Sequence, residues 1–89
     1  MENNIDNKQL MVNKTFKISS RIDFAKQLGS NIIKLRKEKG WNQSELARRL
    51  YKDRQAIERI ENGKIIPNSF TLYLIAEALN IKPYKLLQF

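Results

Sequence analysis

The 22 residues from Asn42 to Gly63, NQSELARRLYKDRQAIERIENG, hold two short helical patterns separated by a link too brief to be a loop of its own. Asn42 is a favourable N-cap, and Glu45 three residues on makes a capping-box-like start. Leu46, Ala47 and Leu50 then share one face, which predicts a helix over about Gln43–Leu50. Asp53 opens a second helix, Arg54–Glu61, that turns Ile57 and Ile60 inward. Asn62-Gly63 closes it with a pair suited to a left-handed cap. Ala47 lies where the two helices meet, and its minimal side chain lets one cross closely over the other.

Outward from this pair the chain stays helical. Downstream, Lys64-Ile65-Ile66-Pro67 is a loop, and Asn68 caps a helix carrying Phe70, Leu72, Leu74, Ile75, Ala76 and Leu79 on a broad apolar face. Asn80 ends that helix. Pro83, at a first-turn position, starts a last short one holding Leu86 and Leu87. Upstream, Ser20 with Asp23 caps a helix in which Ile22, Ala25, Leu28, Ile32 and Leu35 recur at helical spacing, and Gly40 stops it. The expectation is an all-α, five-helix domain over residues 21–89, with a polar N-terminal arm over residues 1–20. That arm is rich in Asn and Lys and has no helical stripe. Leu10, Val12, Phe16 and Ile18 alternate with Asn13, Thr15 and Lys17, a strand-like pattern broken at Lys14. A mobile arm is the expectation, with a strand pairing to another chain or an early helical extension as the alternatives.

Composition narrows the partner. Seventeen Lys and Arg face nine acids, for a net charge of +8 in 89 residues, an excess that favours a polyanion. The chain has no Cys and no His, so disulfides, thiolate zinc sites and Cys or His catalytic pairs are excluded. No group of residues combines nucleophile, base and orienting partner, and neither enzymatic activity nor a metal or other cofactor is expected. No apolar run approaches the roughly 20 residues of a membrane span, and the first residues lack the basic and apolar regions of a signal peptide. A cytoplasmic location is therefore expected.

The helix Arg54–Glu61 carries one polar face, either simply solvated or suited to base edges. At about 100° per residue, Arg54, Gln55, Glu58, Arg59 and Asn62 fall in one arc, with Ile57 and Ile60 roughly opposite. Arg donates two bonds to guanine, Gln pairs with adenine, and Glu58 either accepts from cytosine or orients Arg54 or Arg59. Two short helices joined by a tight link, with the small Ala47 where they meet, describe a helix-turn-helix, a pattern that other helical bundles also carry.

The stretch Leu35-Arg36-Lys37-Glu38-Lys39-Gly40-Trp41-Asn42-Gln43-Ser44-Glu45-Leu46-Ala47 resembles the start of the lambda-repressor-like (Xre/Cro/repressor) helix-turn-helix family. Ile57-Glu58-Arg59-Ile60-Glu61-Asn62-Gly63-Lys64, then Pro67, Leu72, Ile75-Ala76 and Ala78-Leu79, resemble its continuation at the same spacing. The resemblance covers about residues 28–87. It implies a DNA-binding transcriptional regulator, most readily a homodimeric repressor reading a palindromic operator through helix 54–61 in the major groove. It implies phosphate contacts at Gln43, with Asn42 and Ser44 beside it, and base contacts at Arg54, Gln55, Glu58 and Arg59. It further implies an ion pair between Arg36 and Glu61.

Lys64, just past the recognition helix, is a further phosphate candidate. Tyr51-Lys52 departs from the family, where Gly and then an apolar residue are common. A left-handed Tyr51 costs roughly 1–2 kcal/mol, and a longer second helix or a different link is the alternative. Tyr73, Tyr84, Leu87 and Phe89 are more apolar surface than one small domain can bury, so they are the expected dimerisation surface. The alternative function is an antitoxin-like interaction module whose main partner is another protein.

Overall fold

The computed structural model describes the backbone of residues 3–89 and the side chains of residues 20–89. Its elements are helices α1 (Asn3–Glu38), α2 (Gln43–Arg49), α3 (Arg54–Glu61) and α4 (Ser69–Leu79), followed by a 3₁₀ helix (Pro83–Leu87). Among the described residues every regular element is thus a helix. The fifth element is a single tight 3₁₀ stretch of five residues, started by Pro83, which has no N–H to lose.

Three helices start as their sequences predict. Asn42, Asp53 and Asn68 each accept, at 2.8 Å, a backbone N–H three residues on, from Glu45, Ala56 and Thr71. The capping box at Asn42 is only half made, because the Glu45 carboxylate is taken by Arg48 and Arg49 instead of reaching back. All four α-helices end alike, with one residue in the left-handed region: Gly40, Tyr51, Gly63 and Asn80. In each, the next residue's N–H bonds back across the last turn, as Trp41 to Arg36, Lys52 to Ala47, Lys64 to Arg59 and Ile81 to Ala76. That arrangement satisfies carbonyls the helix end would otherwise orphan.

Helix α1 starts earlier than the Ser20 cap predicts and follows the helical alternative for the N-terminal residues. It runs from Asn3 through Ser20 without interruption, so Ser20 caps nothing and no strand forms over 10–18. No Pro and no Gly precedes Gly29 to stop it. A helix closes its own hydrogen bonds, whereas a lone strand needs a neighbour. The side chains of residues 1–19 lie outside the described ones, and with them the expected division of the chain at residue 20.

The core draws on every element: Leu28 and Ile32 from α1, Leu46 and Ala47 from α2 with Leu50 at its C-cap, Ile57 and Ile60 from α3, Ile75, Ala76 and Leu79 from α4, and Leu86 from the 3₁₀ helix. Burying each of the larger ones contributes about 1.5–3 kcal/mol. Helix α3 packs on both α2 and α1, and the 3₁₀ helix is held against α4 and α1. Asn31 of α1 donates to the carbonyls of Lys85 and Leu86 at 3.0 and 2.9 Å, which ties the chain end down. Where α1 meets α3, a Cβ on Gly29 would lie 2.4 Å from the Glu61 carbonyl oxygen, so only Gly permits this approach. Two residues expected in the core are exposed, Ile22 (54%) and Phe70 (65%), as is Leu87. Each is at the edge of its apolar stripe, and a chain this short has no further layer to cover it.

Candidate nucleic-acid interface

Helix α3 divides cleanly by face. Ile57, Ile60 and Glu61 are buried, while Arg54, Gln55, Arg59 and Asn62 are exposed and Glu58 is half-buried. Packing of the isoleucines against α1 and α2 fixes the rotation of the helix, and that rotation presents the polar arc outward. Asn42 and Ser44 are exposed at the start of α2, and Lys64 is exposed just past α3.

Behind this surface lies a buried polar network. Arg36 donates to Glu61 through Nε at 2.7 Å and Nη2 at 3.0 Å, and through Nη1 to the Trp41 carbonyl at 2.7 Å. Glu61 is 3% exposed and Arg36 7%. The structure therefore brings together the two residues that the resemblance pairs. Gln43 joins them: its Nε2 donates to Glu61 Oε1 at 2.9 Å, and its Oε1 accepts from Arg54 Nη1 at 3.2 Å. One amide hydrogen of Gln43 is left unengaged by these two bonds. Glu58 approaches Arg54 more loosely, at 3.8 Å.

Nothing in the sequence pattern gave Trp41 or Gly29 a part in this site. Trp41 supplies the carbonyl that takes the third Arg36 bond, and Arg49 lies 4.0 Å over its ring. Gly29 allows the Glu61 backbone to approach α1. A backbone carbonyl acceptor such as that of Trp41 leaves no mark on residue type.

At the far end of α2, Glu45 accepts from Arg48 at 2.6 Å and from Arg49 at 2.7 Å. The bond from Arg48 holds the Glu45 carboxyl below the usual carboxylate range, and the same bond raises the Arg48 guanidinium. These are surface pairs, which contribute little to stability. Tyr51 follows with φ of 56° and 98% exposure, so the link keeps the left-handed turn and α2 is not lengthened. The aromatic side chain standing there finds no cover in the described residues.

The residues expected to dimerise are all exposed: Tyr73, Tyr84, Leu87 and Phe89. Phe89 is partly engaged within the chain, its ring 5.9 Å from that of Phe24. Tyr73 reaches Glu77 at 3.5 Å. Among the described residues no helix is long and apolar enough to cross a membrane.

Comparison with known proteins bears on the family and the fold. A helix-turn-helix family model matches residues 32–86. The chain is 37% identical over 65 residues to an uncharacterized HTH-type transcriptional regulator, y4dJ, of Sinorhizobium fredii, a match spanning 73% of this chain and 84% of that one. It is 41% identical over 56 residues to the ImmF control region 10 kDa protein of Bacillus phage phi105, spanning 63% of this chain and 62% of the relative. Among solved structures it resembles the restriction-modification controller protein C.AhdI of Aeromonas hydrophila, with a TM-score of 0.70, 28% identity, and coverage of 73% of this chain and 94% of that one. A hypothetical transcription factor from Neisseria, NHTF, also gives a TM-score of 0.70, at 31% identity over 75% of this chain and 77% of its own. The chain belongs to the lambda-repressor-like (Xre) helix-turn-helix family of DNA-binding transcriptional regulators.

Proposed function

We propose that this protein is a homodimeric repressor that reads a short palindromic operator with α3 in the major groove. The observation that carries the reading is the outward face of α3, where Arg54, Gln55 and Arg59 stand exposed opposite Ile57 and Ile60. Arg54 and Arg59 suit guanine and Gln55 suits adenine, with Glu58 steering the arginines beside it. Asn42, Gln43, Ser44 and Lys64 flank that face and fix its register through phosphates. The exposed apolar residues Tyr73, Tyr84, Leu87 and Phe89 supply the surface for a second copy. Relatives named for a phage control region and a restriction-modification controller support a role in switching a small set of genes.

The test is selection of duplexes from a random pool, followed by titration of the selected sequence at increasing salt. A dimer that neutralises about 6–10 phosphates loses roughly 10³–10⁵ in affinity between 50 and 200 mM salt. Recovery of no common sequence, or association indifferent to salt, contradicts the reading.

A further inference from the structure

We propose that Asp53, the N-cap of α3, determines specificity with the carboxylate oxygen its cap leaves over: that oxygen accepts from a cytosine amino group and repels base edges that present only acceptors. The inference rests on the reading that α3 enters the major groove, and it gives a base preference to a residue that otherwise only starts the helix.

The cap itself needs no charge. Asn42 and Asn68 cap α2 and α4 through one side-chain oxygen, each accepting a backbone N–H at 2.8 Å, and Asp53 caps α3 by the same atom at the same distance. The three caps share an extended backbone as well, with ψ of 176°, 170° and 166° for Asn42, Asn68 and Asp53. Asn and Asp serve a helix equally well at this position. Yet the cap on the reading helix is the charged one, in a chain of net charge +8 whose partner is a polyanion. Within the fold that charge has no use. Oδ1 is taken by the Ala56 N–H; among the described residues Oδ2 accepts no hydrogen bond, and neither oxygen pairs with a Lys or Arg. The acids of the neighbouring turns are all engaged: Glu45 by Arg48 and Arg49, Glu61 by Arg36, and Glu58 loosely by Arg54. Asp53 is exposed between the exposed Lys52 and Arg54, at the end of α3 that reaches the groove first.

The base edges decide what a free carboxylate oxygen does there. In the major groove cytosine presents an amino donor, guanine two acceptors, thymine an acceptor and a methyl group, and adenine a donor beside an acceptor. An oxygen with no proton accepts from the cytosine amino group and is repelled by guanine and thymine. Phosphates repel it too, so it weakens the hold on every duplex that offers no amino group at that place. Discrimination gains from both sides, by support for one sequence and by a cost on the others. The same charge complements the positive end of the α3 dipole, a contribution that belongs to folding and shows in the melt.

The experiment compares the full chain with two variants that keep a cap. In Asp53→Asn the capping oxygen stays on the Ala56 N–H, so an NH₂ donor takes the place of the free oxygen. Asp53→Ser caps α3 and leaves neither group there. Each protein is titrated against the duplex selected by the parent, against that duplex with each G·C pair of the half-site reversed in turn, and against a random duplex. Thermal melts establish that each is folded at the titration temperature. At one half-site position the preference for cytosine over guanine is expected to fall about tenfold in Asp53→Ser and to turn toward guanine in Asp53→Asn. Binding to the random duplex is expected to tighten about threefold in both. Equal tightening on every duplex overturns the proposal, because the carboxylate then only repels phosphates. A cytosine preference unchanged at every position overturns it as well. If Arg54→Ala weakens the selected duplex while neither Asp53 variant alters a preference, the role of Asp53 fails and the reading by α3 stands. If the parent selects no common sequence, both fall.

Discussion

The guanidinium of Arg36 meets the carboxylate of Glu61 through two parallel bonds, Nε to Oε2 at 2.7 Å and Nη2 to Oε1 at 3.0 Å, across the packed surfaces of α1 and α3. Both side chains are buried, so neither charge has water to fall back on. A pair of this kind adds little over an apolar substitute, but removing one member strands the other. Glu61→Ala is expected to lower stability by about 3–5 kcal/mol, and Arg36→Ala by a comparable amount. The double variant should lose less than the sum, because the two side chains act as one unit. Urea unfolding checks all three, and a Glu61→Ala protein that unfolds like the parent contradicts the account.

Tyr51 bears a left-handed backbone that Gly would adopt without strain. The conformation costs a residue with a Cβ roughly 1–2 kcal/mol, and the exposed ring returns no packing. Tyr51→Gly should therefore raise stability by about 0.5–1 kcal/mol, after the added freedom of glycine in the unfolded chain is deducted. A lower melting temperature would mean that the ring makes contacts which stabilise the folded chain.

The caps of α2, α3 and α4 were legible because each is a bond between residues three apart, and Asn42, Asp53 and Asn68 carry the acceptor themselves. Gly40, Gly63 and Asn80 marked helix ends for the same local reason. The α3 face was legible because two isoleucines three apart define its inner side. What escaped the sequence is non-local. Gln43 finds Glu61 eighteen residues away and Arg54 eleven away, and no spacing rule connects them. Gly29 looks like an ordinary weak point in a helix until α3 is laid against it. Ile22 and Phe70 sit at helical spacing, but periodicity does not say how far round a helix its neighbours reach. The alternation over residues 10–18 left a strand open as one alternative to a mobile arm, and the backbone there is helical, the other alternative.

The exposed apolar residues at the chain end should be covered in a dimer. Sedimentation of the purified protein is expected to give a two-fold species, and Leu87→Glu is expected to shift it toward monomer by placing a charge in the contact. The two α3 helices would then meet successive major grooves about 34–36 Å apart. A chain that stays monomeric at high concentration, alone and on DNA, removes the dimer from the account.

If α3 reads base sequence, Arg54 is part of the reading. That is tested most directly by titrating the parent and Arg54→Ala against the selected duplex and against a random one. The expected result is a loss of about 1–3 kcal/mol on the selected duplex, little loss on the random one, and an unchanged melt. Equal losses on both duplexes with the melt unchanged would show that Arg54 only attracts phosphate, and α3 would not be the reading element described here.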